Sequence, residues 1–326
     1  MKKLVALLLT LTLLAALPML AACGKVDKDL EINVWTLSGT TGFGMAALMD
    51  AAEKGEAELN YKFTNAGTDA TAVSSALISG DADIGAVPTN LAATLYNKKP
   101  GEFVLLALNT RGVLYLLANT AKVSAPASLA DLAGKTVYCP AQNPELIAKA
   151  LLAKGAISDC TLDATTYAEA ANLQAAVAAG EVDYAILPEP MVTIAKSSAK
   201  EGVSLTVALD ITKAWDEYFE DGSLVQGCVV ARKAFVDEHQ NEVKKFLEEY
   251  ESSIDYTVEN PAEAAEMIVA AGIFAKAPVA AKAIPNCNLC FVDGKEMKDA
   301  MSAYLAAMPV EKIGGALPGD DFYFGA

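Results

Sequence analysis

The chain has 326 residues, with 25 Lys and Arg against 41 Asp and Glu and a single histidine, for a formal net charge of −16. So acidic a chain is a poor partner for DNA, RNA or an anionic membrane surface, so no nucleic-acid partner is expected. The length suffices for one large or two medium domains with a sizeable core. The lone His239 and the irregular cysteine spacings leave no four-ligand zinc set, so neither a metal nor a cofactor is expected.

In chain order, Lys2 and Lys3 precede an apolar run from Leu4 to Leu17, then Pro18 and small residues up to Cys23. This is the pattern of a secretory signal over 1–22, too short to span a bilayer. Leu20-Ala21-Ala22-Cys23 resembles the lipobox of bacterial lipoproteins, which implies cleavage before Cys23, lipidation of Cys23, and anchoring at the outer face of the cytoplasmic membrane. An ordinary signal cut after Ala22 is the alternative. Residues 23–29 then read as a linker.

Glu31 to Trp35 reads as a strand and Gly42 to Glu53 as a helix. Between them, Trp35 and the turn Ser38-Gly39-Thr40-Thr41 are candidate ligand contacts, because free backbone N–H groups and hydroxyls at a helix start suit an anion. A repeat follows at a spacing of one hundred residues. Ser79-Gly80-Asp81-Ala82-Asp83-Ile84-Gly85-Ala86-Val87-Pro88 aligns with Ala179-Gly180-Glu181-Val182-Asp183-Tyr184-Ala185-Ile186-Leu187-Pro188. Each copy reads as helix, glycine turn, buried strand and helix start. Thr89 and Asn90 after the first copy, and Glu189 after the second, are candidate contacts; Glu189 suits a ligand with a donor group.

Phe103 to Leu108 and Val113 to Ala118 are apolar strands flanking Asn109-Thr110-Arg111-Gly112. Only two arginines occur, Arg111 and Arg232. Asn109 and Arg111 are therefore site candidates, Arg111 as a bidentate holder of a carboxylate or sulfonate. Lys135 to Cys139 is a strand and Pro144 to Ala153 a helix, with Asn143 its expected cap and Gln142 beside it. Gln226 precedes Cys228 to Ala231, the one strand expected beyond it. Asn241 to Val258 and Lys295 to Ala307 are helical, and Phe322-Tyr323-Phe324 can dock on the core. Cys287 and Cys290 are either a local disulfide or two free thiols. Strands alternating with helices, twice over, predict an α/β fold of two similar lobes, each with a mainly parallel sheet flanked by helices and joined by two crossing strands.

Ser128-Leu129-Ala130-Asp131-Leu132-Ala133-Gly134-Lys135-Thr136-Val137 resembles the "SLADLxGKxV" opening of the second lobe in type II periplasmic binding proteins, the solute-binding lipoproteins of ABC importers. Gly80-Asp81-Ala82-Asp83 is similar to their "GxxD". Gly314-Gly315, Pro318 and Phe322-Tyr323 resemble the C-terminus of the nitrate, sulfonate, taurine, bicarbonate and thiamine-precursor group. The resemblance implies a first lobe of 30–112 with 228–326 and a second of 113–227. It further implies capture of a small molecule between them and delivery to an ABC permease with its ATPase, by a monomer. A small organic anion is favoured; a pyrimidine or vitamin precursor and a ligand-presenting sensor are the alternatives. Some type II folds are enzymes, but there is no nucleophile elbow or metal-binding His pair, and no catalytic residue is expected.

Overall fold

The computed structural model describes residues 25–219 and 224–326. The expected signal and Cys23 lie outside these residues. The elements are β1 (Glu31–Thr36), α1 (Thr40–Phe43), α2 (Ala46–Lys54), β2 (Asn60–Asn65), α3 (Ala70–Ser79), β3 (Ile84–Pro88), α4 (Thr89–Lys98), β4 (Phe103–Arg111) and β5 (Leu114–Asn119). Then come β6 (Thr136–Tyr138), α5 (Asn143–Lys154), β7 (Thr161–Asp163), α6 (Ala170–Ala179), β8 (Tyr184–Pro188), α7 (Met191–Ser197), β9 (Leu205–Asp210) and α8 (Ile211–Tyr218). The chain closes with β10 (Val225–Arg232), α9 (Lys233–Glu238), α10 (Gln240–Glu259), α11 (Pro261–Ala270), α12 (Ala277–Ala283), β11 (Leu289–Val292) and α13 (Gly294–Ala306).

These strands form two sheets, β11-β4-β10-β3-β1-β2 and β7-β6-β8-β5-β9. Strands up to Arg111 and from Val225 onward build the first; those from Leu114 to Asp210 build the second. The α/β two-lobed fold is as expected, but the sheets are mixed rather than mainly parallel. β1 pairs in parallel with β2 and β3, and β6 with β7 and β8. The pairings of β10, β4 and β11, and of β5 with β8 and β9, are antiparallel. The strands that carry the chain between sheets run back against their neighbours, and this sets their direction. Beyond Gln226 there are also two strands rather than one, because β11 pairs on the edge of the first sheet.

The helix expected over 42–53 is broken at Gly44-Met45. The cause is Ser253 on α10. Its hydroxyl donates to the Gly44 carbonyl (2.6 Å) and accepts from the Leu48 amide (2.9 Å), so it occupies the place of one i→i−4 bond. Glycine at 42 is obligatory, since a Cβ there would lie 1.9 Å from the Leu37 carbonyl oxygen.

The two copies of the repeat fold alike, each helix ending on a left-handed glycine, Gly80 or Gly180, before a buried strand. They differ at the aspartate. Asp83 is buried and accepts from Asn33 N (2.9 Å), Asn33 Nδ2 (3.2 Å) and Arg232 Nη2, tying β1, β3 and β10 together. Asp183 is exposed. The C-terminal aromatic segment docks as expected: Phe322 is buried against Tyr96, and Phe324 N donates to Leu105 O (3.0 Å).

Removing Asp83 leaves the half-buried Arg232 and two Asn33 donors without their acceptor. Asp83→Ala is expected to cost about 2–4 kcal/mol, whereas Asp183→Ala stays within about 0.5 kcal/mol. Urea midpoints of both variants measure this; equal losses would mean that the two aspartates do the same structural job.

Candidate functional site

In sheets of this type, ligands sit beyond the carboxyl ends of the parallel strands. In the first lobe these ends are Thr36 on β1 and Pro88 on β3. The turn after β1 is held from the side: Ser38 N donates to Gly67 O (2.7 Å), Ser38 Oγ lies 3.4 Å from Asn65 Oδ1, and Gly39 N reaches Ile273 O (3.4 Å). Gly39 takes φ 82°, which turns the chain into α1 with no side chain capping that helix. Thr40 and Thr41 form its first turn, half-buried, and the Thr41 carbonyl accepts from Asn109 Nδ2 (3.4 Å). Asn109 is buried; it also donates to Tyr250 OH (2.9 Å) and accepts from Thr110 Oγ1 (3.0 Å).

α4 likewise starts without a side-chain cap. Thr89 does not cap it: it is fully buried and donates to Val225 O (2.9 Å) at the start of β10. Among the described residues, Asn90 Oδ1 and Thr36 Oγ1 are buried polar atoms with no hydrogen-bond partner. A buried hydroxyl or amide left unpaired costs about 1–3 kcal/mol, and these two lie at the ends of neighbouring strands. Trp35 is half-buried and packs on the main apolar cluster.

From the second lobe, α5 begins at Asn143, one residue earlier than expected. Gln142 rather than Asn143 is the cap residue, exposed and in the left-handed region at φ 67°. The Asn143 side chain is engaged elsewhere: its Oδ1 accepts from Tyr304 OH (2.8 Å) on α13, a bond between the lobes. Tyr304 is fully buried, with its ring 5.9 Å from that of Trp215 on α8. Trp215 stacks on Phe219 at 4.0 Å, and its Nε1 is another buried donor with no partner among the described residues. Neither Trp215 nor Tyr304 stands out in the sequence; their fully buried polar tips become evident only once the lobes are assembled.

Glu189 follows β8, at the place that Thr89 holds after β3. It is buried, and both carboxylate oxygens accept from Thr193, from the hydroxyl (3.0 Å) and the amide (3.1 Å). Burial raises its pKa above the ordinary value, against these bonds and the field of Lys196. Glu189 borders an inter-lobe cavity of about 590 Å³, within the range of small-molecule sites. Tyr115 on β5 borders it too and donates to Asn286 O (2.8 Å) across the lobes.

Two further sequence candidates have partners of their own. Arg111 lies at the end of β4 with about a third of its side chain exposed, and its Nη2 is 3.4 Å from Glu296 Oε1 on α13. Gln226 Oε1 accepts from Val113 N (2.7 Å), joining the two crossings. Cys287 and Cys290 are free thiols, both raised in pKa by burial, Cys290 to about 11. Among the described residues there is no His, Cys, Asp and Glu cluster that could hold a metal, and no helix long and apolar enough to cross a membrane.

Two α/β lobes joined by a double crossing, with polar groups gathered at the strand ends between them, define the periplasmic-binding-protein fold. The chain belongs to the NMT1/THI5-like family, whose model matches residues 58–264, more than half of the chain. An ABC transporter structure from Parabacteroides distasonis is similar, at a TM-score of 0.75 and 23% identity over 91% of this chain and 99% of that one. The periplasmic aliphatic sulphonate binding protein of Escherichia coli gives a TM-score of 0.65 at 15% identity, covering 85% of this chain and 90% of its own. The alkanesulfonate-binding protein of Xanthomonas axonopodis pv. citri, bound to MOPS, gives 0.59 at 14% identity over 91% and 96%. A sequence comparison with curated proteins finds no match.

A carboxyl whose pKa is raised on folding contributes stability that is present below its unfolded pKa and lost as pH rises through the folded one. Wild type is therefore expected to lose stability relative to Glu189→Gln as pH goes from about 4 to 7. Urea midpoints across that range test it; parallel curves would show that burial does not shift this carboxyl.

Proposed function

We propose that the chain is an extracytoplasmic solute-binding protein that holds a small organic anion between two lobes, 30–112 with 228–326 and 113–227, and passes it to the permease of an ABC importer with its ATPase. On this reading residues 1–22 are a signal, Cys23 carries the lipid at the outer face of the cytoplasmic membrane, and the protein works as a monomer without catalysing a reaction. The observation that carries the reading is that three of the five unpartnered buried polar atoms among the described residues, Thr36 Oγ1, Asn90 Oδ1 and Trp215 Nε1, come from both lobes. A ligand that touches both lobes favours the closed arrangement by its differential affinity, and that shift is the signal a permease reads. The alkanesulfonate-binding neighbours support an anion as the class of ligand. A pyrimidine or other ring compound is the second reading, favoured by the half-buried Trp35 and by the Glu189 carboxyl.

The test is calorimetric titration of the purified full chain with short alkanesulfonates, carboxylates, nitrate, bicarbonate and pyrimidines. Thr36→Val keeps the shape and removes the unpaired hydroxyl. It is expected to raise the stability of the unliganded protein by about 1 kcal/mol and to weaken the ligand roughly tenfold, about 1.4 kcal/mol. Asn90→Leu should weaken it similarly. Wild-type affinity in both variants would remove the strand ends from the site, and turnover of a bound compound would replace the transport reading with an enzymatic one.

A further inference from the structure

The cavity of about 590 Å³ between the lobes is electrically unlike the rest of the chain. The whole molecule carries 41 acids against 25 bases. Yet the charged side chains bordering this cavity are Lys196, Lys282 and Glu189, two cations to one acid. The acid is buried and already holds two bonds from Thr193, with its pKa raised by burial. The lysines come from opposite lobes, Lys196 from α7 and Lys282 from α12. Neither forms an ion pair with a described residue, whereas Lys54, Lys149, Lys233 and Lys295 each pair with an acid one helical turn away. The remaining surface is suited to a small amphiphile: Val192 and Val207 are apolar wall, and the Thr193 and Ser197 hydroxyls lie beside Lys196.

We propose that this cavity is a second anion-binding place between the lobes, apart from Thr36, Asn90 and Trp215, none of which borders it, and that it takes a sulfonate or carboxylate on a short apolar body with Lys196 and Lys282 as its two charge partners. The assignment rests on the solute-binding reading above and gives it residues that nothing in the sequence pattern singles out. One anion between two ammonium groups from opposite lobes is attracted to both. The anion is thereby a bridge that favours the closed arrangement, and Tyr115, hydrogen-bonded to Asn286 across the lobes, lies beside the bridge. Arg111, half-buried beside Glu296, does not border this cavity.

The experiment is calorimetric titration of the full chain, wild type and Lys196→Gln, Lys282→Gln, the double variant and Arg111→Gln, with alkanesulfonates, carboxylates and neutral ring compounds at two salt concentrations. Far-UV circular dichroism and urea midpoints accompany each variant, and both lysines are exposed enough to be replaced without unfolding. The expected result is anion binding that weakens roughly tenfold or more in each single lysine variant, with a shallower salt dependence, and stays within about threefold of wild type in Arg111→Gln. Anion binding unchanged in the double lysine variant overturns the assignment. So does binding confined to neutral rings, which leaves the solute-binding reading standing. No binding of any compound in the panel overturns the assignment and counts against that reading as well.

Discussion

The tripeptide Arg111-Gly112-Val113 is the constraint on which the rest of the molecule depends. Here the chain leaves the first sheet and joins the second, and four other segments close on it. Glycine at 112 has no room for a side chain, since a Cβ would lie 2.1 Å from Thr212 Oγ1 and 2.7 Å from Leu224. Its carbonyl accepts from Asn288 Nδ2, and the Arg111 amide donates to Asn288 O (3.0 Å). The Val113 amide donates to Gln226 Oε1 (2.7 Å) on the returning strand, and its carbonyl accepts from Glu189 N (2.9 Å). The two Asn288 bonds lie within the first lobe and the two Val113 bonds within the second, so the crossing is braced separately on each side. The result is a short, bonded waist between the lobes.

That waist also explains why candidate contacts and structural contacts are interleaved. Glu189 is a ligand candidate by its place after β8, yet its amide helps hold the crossing. Thr89 starts α4 at a strand end, yet its hydroxyl secures the first residue of β10. Apolar packing continues from one lobe to the other: Leu105, Leu114, Ile186, Trp215 and Tyr304 belong to one cluster. A ligand shifts the equilibrium between open and closed lobes by no more than its differential affinity for the two arrangements. On the reading proposed above, the unpartnered tips of Thr36, Asn90 and Trp215 would supply that difference, because they gain bonds only when something polar is placed against them.

The repeat made most of the fold legible in the sequence. Glycine, acid, strand and proline recur because each copy needs the same left-handed helix end and the same buried strand, and these are local requirements. What was not legible is what depends on neighbours. β7 and β9 are edge strands, with residues such as Thr161, Thr206 and Val207 exposed, so they lack the apolar run of a central strand. The break before α2 is caused by Ser253, two hundred residues away. Arg111 drew attention because arginine is scarce, a compositional signal that says nothing of where the side chain goes. Lys196 and Lys282 read as ordinary helix-surface lysines. Only the assembly of α7 against α12 puts both on one cavity.

An anion site on an acidic chain, as proposed above, is not a contradiction, because net charge and local field act over different lengths. At physiological ionic strength charges are screened beyond about 8 Å, so a ligand inside the cavity responds to the few groups that border it rather than to the molecule's sum of −16. Within that radius the acid is Glu189, whose two carboxylate oxygens already accept from Thr193, against the two lysines. The acidic exterior keeps the protein soluble and gives it no general attraction for anions, so selectivity has to come from the few side chains between the lobes.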